Sequence, residues 1–134
     1  MIAVDTNVLV RLLTGDDREQ TAAARRVFEV QQIWIAKTVL LETGWVLGSL
    51  YGFEGSAIRE AFTKLLGLRN VQVEDEPSVA AALVLTTHGV EFADAMHLSS
   101  RPHGAAFVSF DQSFVRRAKR AGAGNVSGIQ TKKR

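Results

Sequence analysis

The chain has 134 residues, 46% of them hydrophobic and 22% charged, and it contains no cysteine. That length suits one domain with a true core. The composition excludes wholesale disorder, and the lack of cysteine excludes disulfides, thiolate zinc sites, iron–sulfur clusters and a cysteine nucleophile. No apolar run approaches the roughly 20 residues a membrane-spanning helix needs. The opening residues lack a basic stretch ahead of an apolar one, which a secretory signal requires. A cytoplasmic location and no membrane partner are therefore expected. The net charge of +2 hides an asymmetry: residues 1–100 hold 8 Lys/Arg against 13 Asp/Glu, whereas residues 101–134 hold 8 against 1. A basic end on an acidic body suggests either a polyanionic partner or a solubilising tail.

Short apolar runs alternate with amphipathic ones along the chain. Residues 2–4 read as a buried strand, and residues 6–13 as a helix ended by Thr14 and Gly15. Asp16 or Asp17 can cap a helix to about Val30, with Ala22, Ala23, Val27 and either Phe28 or Val30 turned inward. Residues 33–35 form a second strand. Thr38 can cap a helix to about Tyr51, and Ser56 starts another that stops at Gly67. Residues 71–73 form a third strand. Glu76 and Pro77 open a helix to about Gly89, with Pro77 where its missing N–H does no harm. A helix over 93–100, a strand over 106–109, a basic helix over 112–121 and a short strand over 125–127 follow. The end, residues 131–134, reads as frayed. Strands separated by helices imply an α/β fold: a central, mostly parallel sheet of about five short strands with helices on both faces, three layers in one domain.

In open sheets of this kind ligands sit beyond the carboxyl ends of the strands. Asp5 directly follows the first strand, and Asp111 closely follows the fourth. Two further acids lie in apolar surroundings: Glu42 is the only charge between Thr38 and Tyr51, and Asp94 sits within Phe92-Ala93-Asp94-Ala95-Met96. Asp5, Asp94 and Asp111 each open a predicted helix, so each also reads as a plain N-cap worth about 1 kcal/mol. Glu42 falls inside a helix, where its plain reading is a surface glutamate on a weakly polar face. Taken jointly, four carboxylates in one crevice repel one another, and a bound divalent cation removes that cost. Oxygen ligation without cysteine favours Mg²⁺ or Mn²⁺ over zinc. Such a site suits phosphodiester hydrolysis. Arg116, Arg117, Lys119 and Arg120 follow Asp111 closely and are candidates to hold a nucleic-acid backbone; the alternative is a solvated helix face.

On the stretches Val4-Asp5-Thr6-Asn7-Val8-Leu9, Leu41-Glu42, Phe92-Ala93-Asp94-Ala95-Met96-His97-Leu98 and Val108-Ser109-Phe110-Asp111-Gln112-Ser113-Phe114, the sequence resembles PIN-domain ribonucleases, and among them the VapC-type toxins of toxin–antitoxin pairs. The resemblance covers about residues 1–127 and leaves 128–134 as a basic tail outside the pattern. It implies a three-layer PIN-like nuclease domain with Asp5, Glu42, Asp94 and Asp111 as an acidic quartet around Mg²⁺ or Mn²⁺. Asp5 and Asp94 would be direct ligands. Thr6, Asn7 and Ser109 match polar positions that would fix carboxylate rotamers, against simple cap or turn roles. His97, one turn after Asp94, could face the site or bond within the structure. The resemblance further implies an RNA substrate, a small antitoxin partner and a homodimer. Trp45, Tyr51 and Phe53 are candidate contacts, although aromatics at helical spacing often belong to the core.

Rival readings are weaker. A haloacid-dehalogenase-type phosphatase needs a second aspartate two residues after the first, where this chain has Asn7. A receiver domain wants an acidic pair after the first strand, and only Asp5 is present. A non-catalytic PIN-like module binding RNA or protein would have no use for the quartet. A nuclease for branched DNA would want clamping helices that this short chain lacks.

Overall fold

A computed structural model describes residues 1–131. Seven helices and five strands follow in the order β1 (Ile2–Ala3), α1 (Thr6–Thr14), α2 (Arg18–Val30), β2 (Ile33–Ile35), α3 (Lys37–Ser49), α4 (Gly55–Leu66), β3 (Val71–Val73), α5 (Glu76–Thr86), α6 (Phe92–Ser99), β4 (Phe107–Ser109), α7 (Gln112–Arg120) and β5 (Val126–Gly128). The α/β fold with a small parallel sheet is the one expected. The strands form two ladders rather than one continuous sheet: β1-β2-β3, with Ile33 opposite both Ile2 and Val71, and β4-β5, with Phe107 opposite Val126. Each strand is only two or three residues long, so each pairing rests on few hydrogen bonds.

β2 is the central strand of its ladder, with Ile33 and Ile35 fully buried and Trp34 partly covered. Helices α4 and α5 pack on β3, while α7 packs on β4 and β5. Residues from both ladders join one core, from Leu9 and Leu40 through Phe62 and Val79 to Phe114 and Val126.

The local causes are legible. Gly15 closes α1 in the left-handed region, φ 66°. Asp17 caps α2 by accepting from the Gln20 N–H at 2.9 Å. Four expectations need correction. The strand expected to be buried over residues 2–4 is exposed at Ile2 and Ala3, and only Val4 is buried. Helix α2 buries Thr21, Ala24 and Phe28 and half-buries Val27, so Val27 and Phe28 face inward as expected, but Ala22 and Ala23 are exposed and Val30 is 74% exposed at the helix end. The inward stripe of α2 is narrow, and alanines on either side of it look alike in sequence. Helix α3 starts before Thr38, at Lys37, behind Ala36, which offers no side-chain cap. Asp94 does not cap α6: it is the third residue of that helix, and Glu91 takes the cap position. The final three residues, part of the expected frayed tail, lie outside the described residues.

Close approach of α3 and α6 depends on Gly44. A Cβ there would stand 2.8 Å from the Phe92 ring, and Phe92 is itself seated against Phe62 with ring centroids 4.9 Å apart. The helices run antiparallel. The Lys37 Nζ at the start of α3 reaches Ser100 Oγ at the end of α6, 3.1 Å away, while Gly44 meets Phe92 at the start of α6.

Candidate active site

Asp5 leaves the end of β1 exposed, and its Oδ1 accepts the Val8 N–H at 3.1 Å, so the cap role is real. Thr6, the first residue of α1, donates its hydroxyl to the Glu42 carboxylate, 36 residues further on. The packing of α1 against α3 makes that reach possible. Glu42 is exposed, as its plain surface reading required, yet it is tied to the helix start where Asp5 stands.

Asp94 is partly buried in the first turn of α6. The Gly44–Phe92 contact sets its level: Glu42 lies two residues before Gly44 and Asp94 two after Phe92, so both sit at one height on antiparallel helices. Asp111 is exposed at the end of β4 and caps α7, its Oδ1 accepting the Phe114 N–H at 3.0 Å. Ser109 Oγ accepts the Asp111 N–H at 3.0 Å and fixes that turn. Among the described residues no three His, Asp or Glu side chains converge closely enough to hold a metal ion.

Asn7 is exposed on α1 and lines a groove with Asp5. His97 is exposed on α6. Arg116, Lys119 and Arg120 project from α7 into solvent, while Arg117 is half-buried and donates to Ser113 of the same helix. Among the aromatics, Trp45 is 63% exposed, Phe53 packs against the core and Tyr51 donates its hydroxyl to Asp16.

Two polar clusters had no signal in the sequence, because each is closed by a contact between residues distant along the chain. In one, Arg11 donates to Asp16 at 3.2 Å, to Gln20 at 2.7 Å and to the Tyr51 hydroxyl at 3.3 Å. The Tyr51 hydrogen bond is the main cause that lowers the Asp16 pKa below the usual carboxylate range. In the other, Lys37 pairs with Asp75 at 3.0 Å beyond the ends of β2 and β3. Hydrogen bonds from Ser78 and then from Lys37 lower the Asp75 pKa.

The donors available to a cation are all oxygens, the hard set that suits Mg²⁺ or Mn²⁺. Magnesium commonly takes one or two carboxylates and keeps several waters. Asp5 commits only Oδ1 to its cap, so its second oxygen together with Glu42 fits an open, hydrated ion better than a closed cage.

An α/β protein with acids following its parallel strands has the layout of a nuclease-type fold. A model of the PIN domain matches residues 2–120, and the chain belongs to the PIN-domain family, whose members are generally metal-dependent nucleases. No curated protein and no solved structure matches the chain significantly. No helix among the described residues is long and apolar enough to cross a membrane.

Proposed function

We propose that this PIN domain is a metal-dependent endoribonuclease and the toxin of a toxin–antitoxin pair, acting in the cytoplasm. The observation that carries the reading is the bond from Thr6 to Glu42, which brings a distant acid to the helix start beside Asp5. Asp5 and Asp94 hold Mg²⁺ or Mn²⁺ directly; Glu42 and Asp111 complete the site and orient water. When bound, the ion offsets phosphate charge and lowers the pKa of a water for in-line attack. Thr6 fixes the Glu42 rotamer, Ser109 fixes the turn that presents Asp111, and Asn7 borders the groove beside Asp5. Arg116, Arg117, Lys119 and Arg120 hold the RNA backbone. A small antitoxin silences the enzyme, and the working form is a homodimer, with the exposed Trp45 a contact for either partner.

The test is cleavage of RNA in Mg²⁺ or Mn²⁺ by wild type, Asp5→Asn and Asp94→Asn. We expect cutting by wild type alone and none in excess chelator. Full activity in either variant, or in chelator, removes those residues from the site. The second reading, a PIN-like module that binds RNA or protein without cutting, draws on the absence of a convergent acidic trio among the described residues. RNA retention with no cleavage under any divalent cation would establish it.

A further inference from the structure

A groove of about 540 Å³ runs between β1, α1 and α2, and Asp5 lies at its edge. Its floor is apolar and built of small side chains: Ile2, Ala3 and Val4 from the strand region, Ala23, Ala24 and Val27 from α2. Its polar wall holds Asn7, Arg11 and Gln20. Asn7 and Arg11 are four residues apart on α1 and so share one face. The Asn7 side chain makes no hydrogen bond to another described residue.

Arg11 sets the chemistry of this wall. Its guanidinium donates to Gln20, Asp16 and Tyr51. Guanidinium N–H bonds lie in the plane of the group, so these three hold the plane in place, with the Arg11 side chain about 26% exposed where it lines the groove. Its charge is answered by Asp16. A phosphate would therefore gain little here, whereas a flat, uncharged ring can stack on the guanidinium face. The bond from Arg11 Nε to Gln20 Oε1 also fixes the Gln20 amide, leaving its NH₂ as a donor. Asn7 supplies a second amide. Amides above an apolar floor match the edge and the face of an unpaired base.

Resting on the nuclease reading of Asp5, we propose that this groove seats an RNA nucleobase adjoining the scissile phosphate, stacked on Arg11 and hydrogen-bonded by Asn7 and Gln20. The groove then contributes to the choice of cleavage site. An added peptide strand is the competing occupant. It is disfavoured because β1 is two residues long and offers too short an edge for a ladder.

The test uses the four ribonucleoside 5′-monophosphates without metal, titrated into isotope-labelled protein and followed by NMR. At least one should give saturable shifts at the side-chain amides of Asn7 and Gln20 and at the Ala23 methyl. Gln20→Ala should weaken that binding about fivefold, the scale of one hydrogen bond. Ala23→Leu, at an exposed helical position, should block it while leaving the circular dichroism unchanged. Shifts absent for all four nucleotides, or indifferent to both variants, would overturn the proposal. No cleavage enters this measurement. A protein that binds bases here but cuts no RNA refutes only the nuclease reading, and an active nuclease whose groove ignores all four refutes only the base site.

Discussion

Asp5 separates a structural duty from a chemical one within a single side chain. Asn caps a helix as well as Asp does, whereas Ala does not. Asp5→Asn should therefore leave thermal stability near wild type, and Asp5→Ala should lower it by about 1 kcal/mol. Both should abolish cleavage. Stability measured by denaturant titration, alongside RNA cleavage, checks the pair; retained cleavage in Asp5→Asn would leave Asp5 a cap and nothing more. Asp16 illustrates the same scale through pH. Its folded pKa is depressed chiefly by the Tyr51 hydrogen bond. A depressed carboxylate contributes stability above its unfolded pKa, and that contribution is lost as pH falls through the acid range below about 4. Tyr51→Phe should lower stability at neutral pH and reduce the further loss on acidification. Melting temperatures across that range decide it, and an unchanged acid profile would detach Asp16 from Tyr51.

Among the elements, the α3–α6 pair governs where Glu42 and Asp94 stand. Gly44→Val would drive a branched side chain into Phe92, which Phe62 backs and cannot release. Overpacking of this kind costs about 1–3 kcal/mol. We expect a loss near the upper end in denaturant titration, together with weaker cleavage, because the levels of Glu42 and Asp94 shift. Wild-type stability in Gly44→Val would show that the helix spacing does not depend on a bare Cα at this position. For α7, the paired change Arg116→Ala and Arg117→Ala should weaken RNA binding and flatten its dependence on salt, by about 0.7 in log–log slope for each phosphate no longer neutralised. An unchanged slope assigns the basic face to solvent. Arg117 is the lesser contributor, since it is partly spent on Ser113.

For the molecule as a whole, the order and kind of elements could be read from the chain, because hydrophobic period, glycine stops and aspartate caps are local signals. Gly15, Asp17 and Gly67 mark boundaries where the structure has them. The inward face of α2 and the start of α3 were not legible, since both depend on which neighbour covers an alanine-rich or uncapped turn. The division of the strands into two ladders was hidden for the same reason: pairing is a long-range property, and strands of two or three residues specify it weakly. The candidate site was legible in its members but not in its assembly. Asp5 and Asp111 follow their strands and cap their helices, but the bond from Thr6 to Glu42 and the level at which Glu42 and Asp94 stand on α3 and α6 follow from packing alone.

The central claim is that acids from β1, α3, α6 and the β4–α7 turn serve one divalent ion. Titration of Mn²⁺ into isotope-labelled protein reads this directly through paramagnetic broadening of backbone amides. We expect early, saturable broadening at Asp5, Thr6, Glu42, Asp94 and Asp111 together, removed by Asp94→Asn. Broadening scattered over unrelated surface acids, or centred on Asp5 with Asp94 and Asp111 untouched, would contradict it.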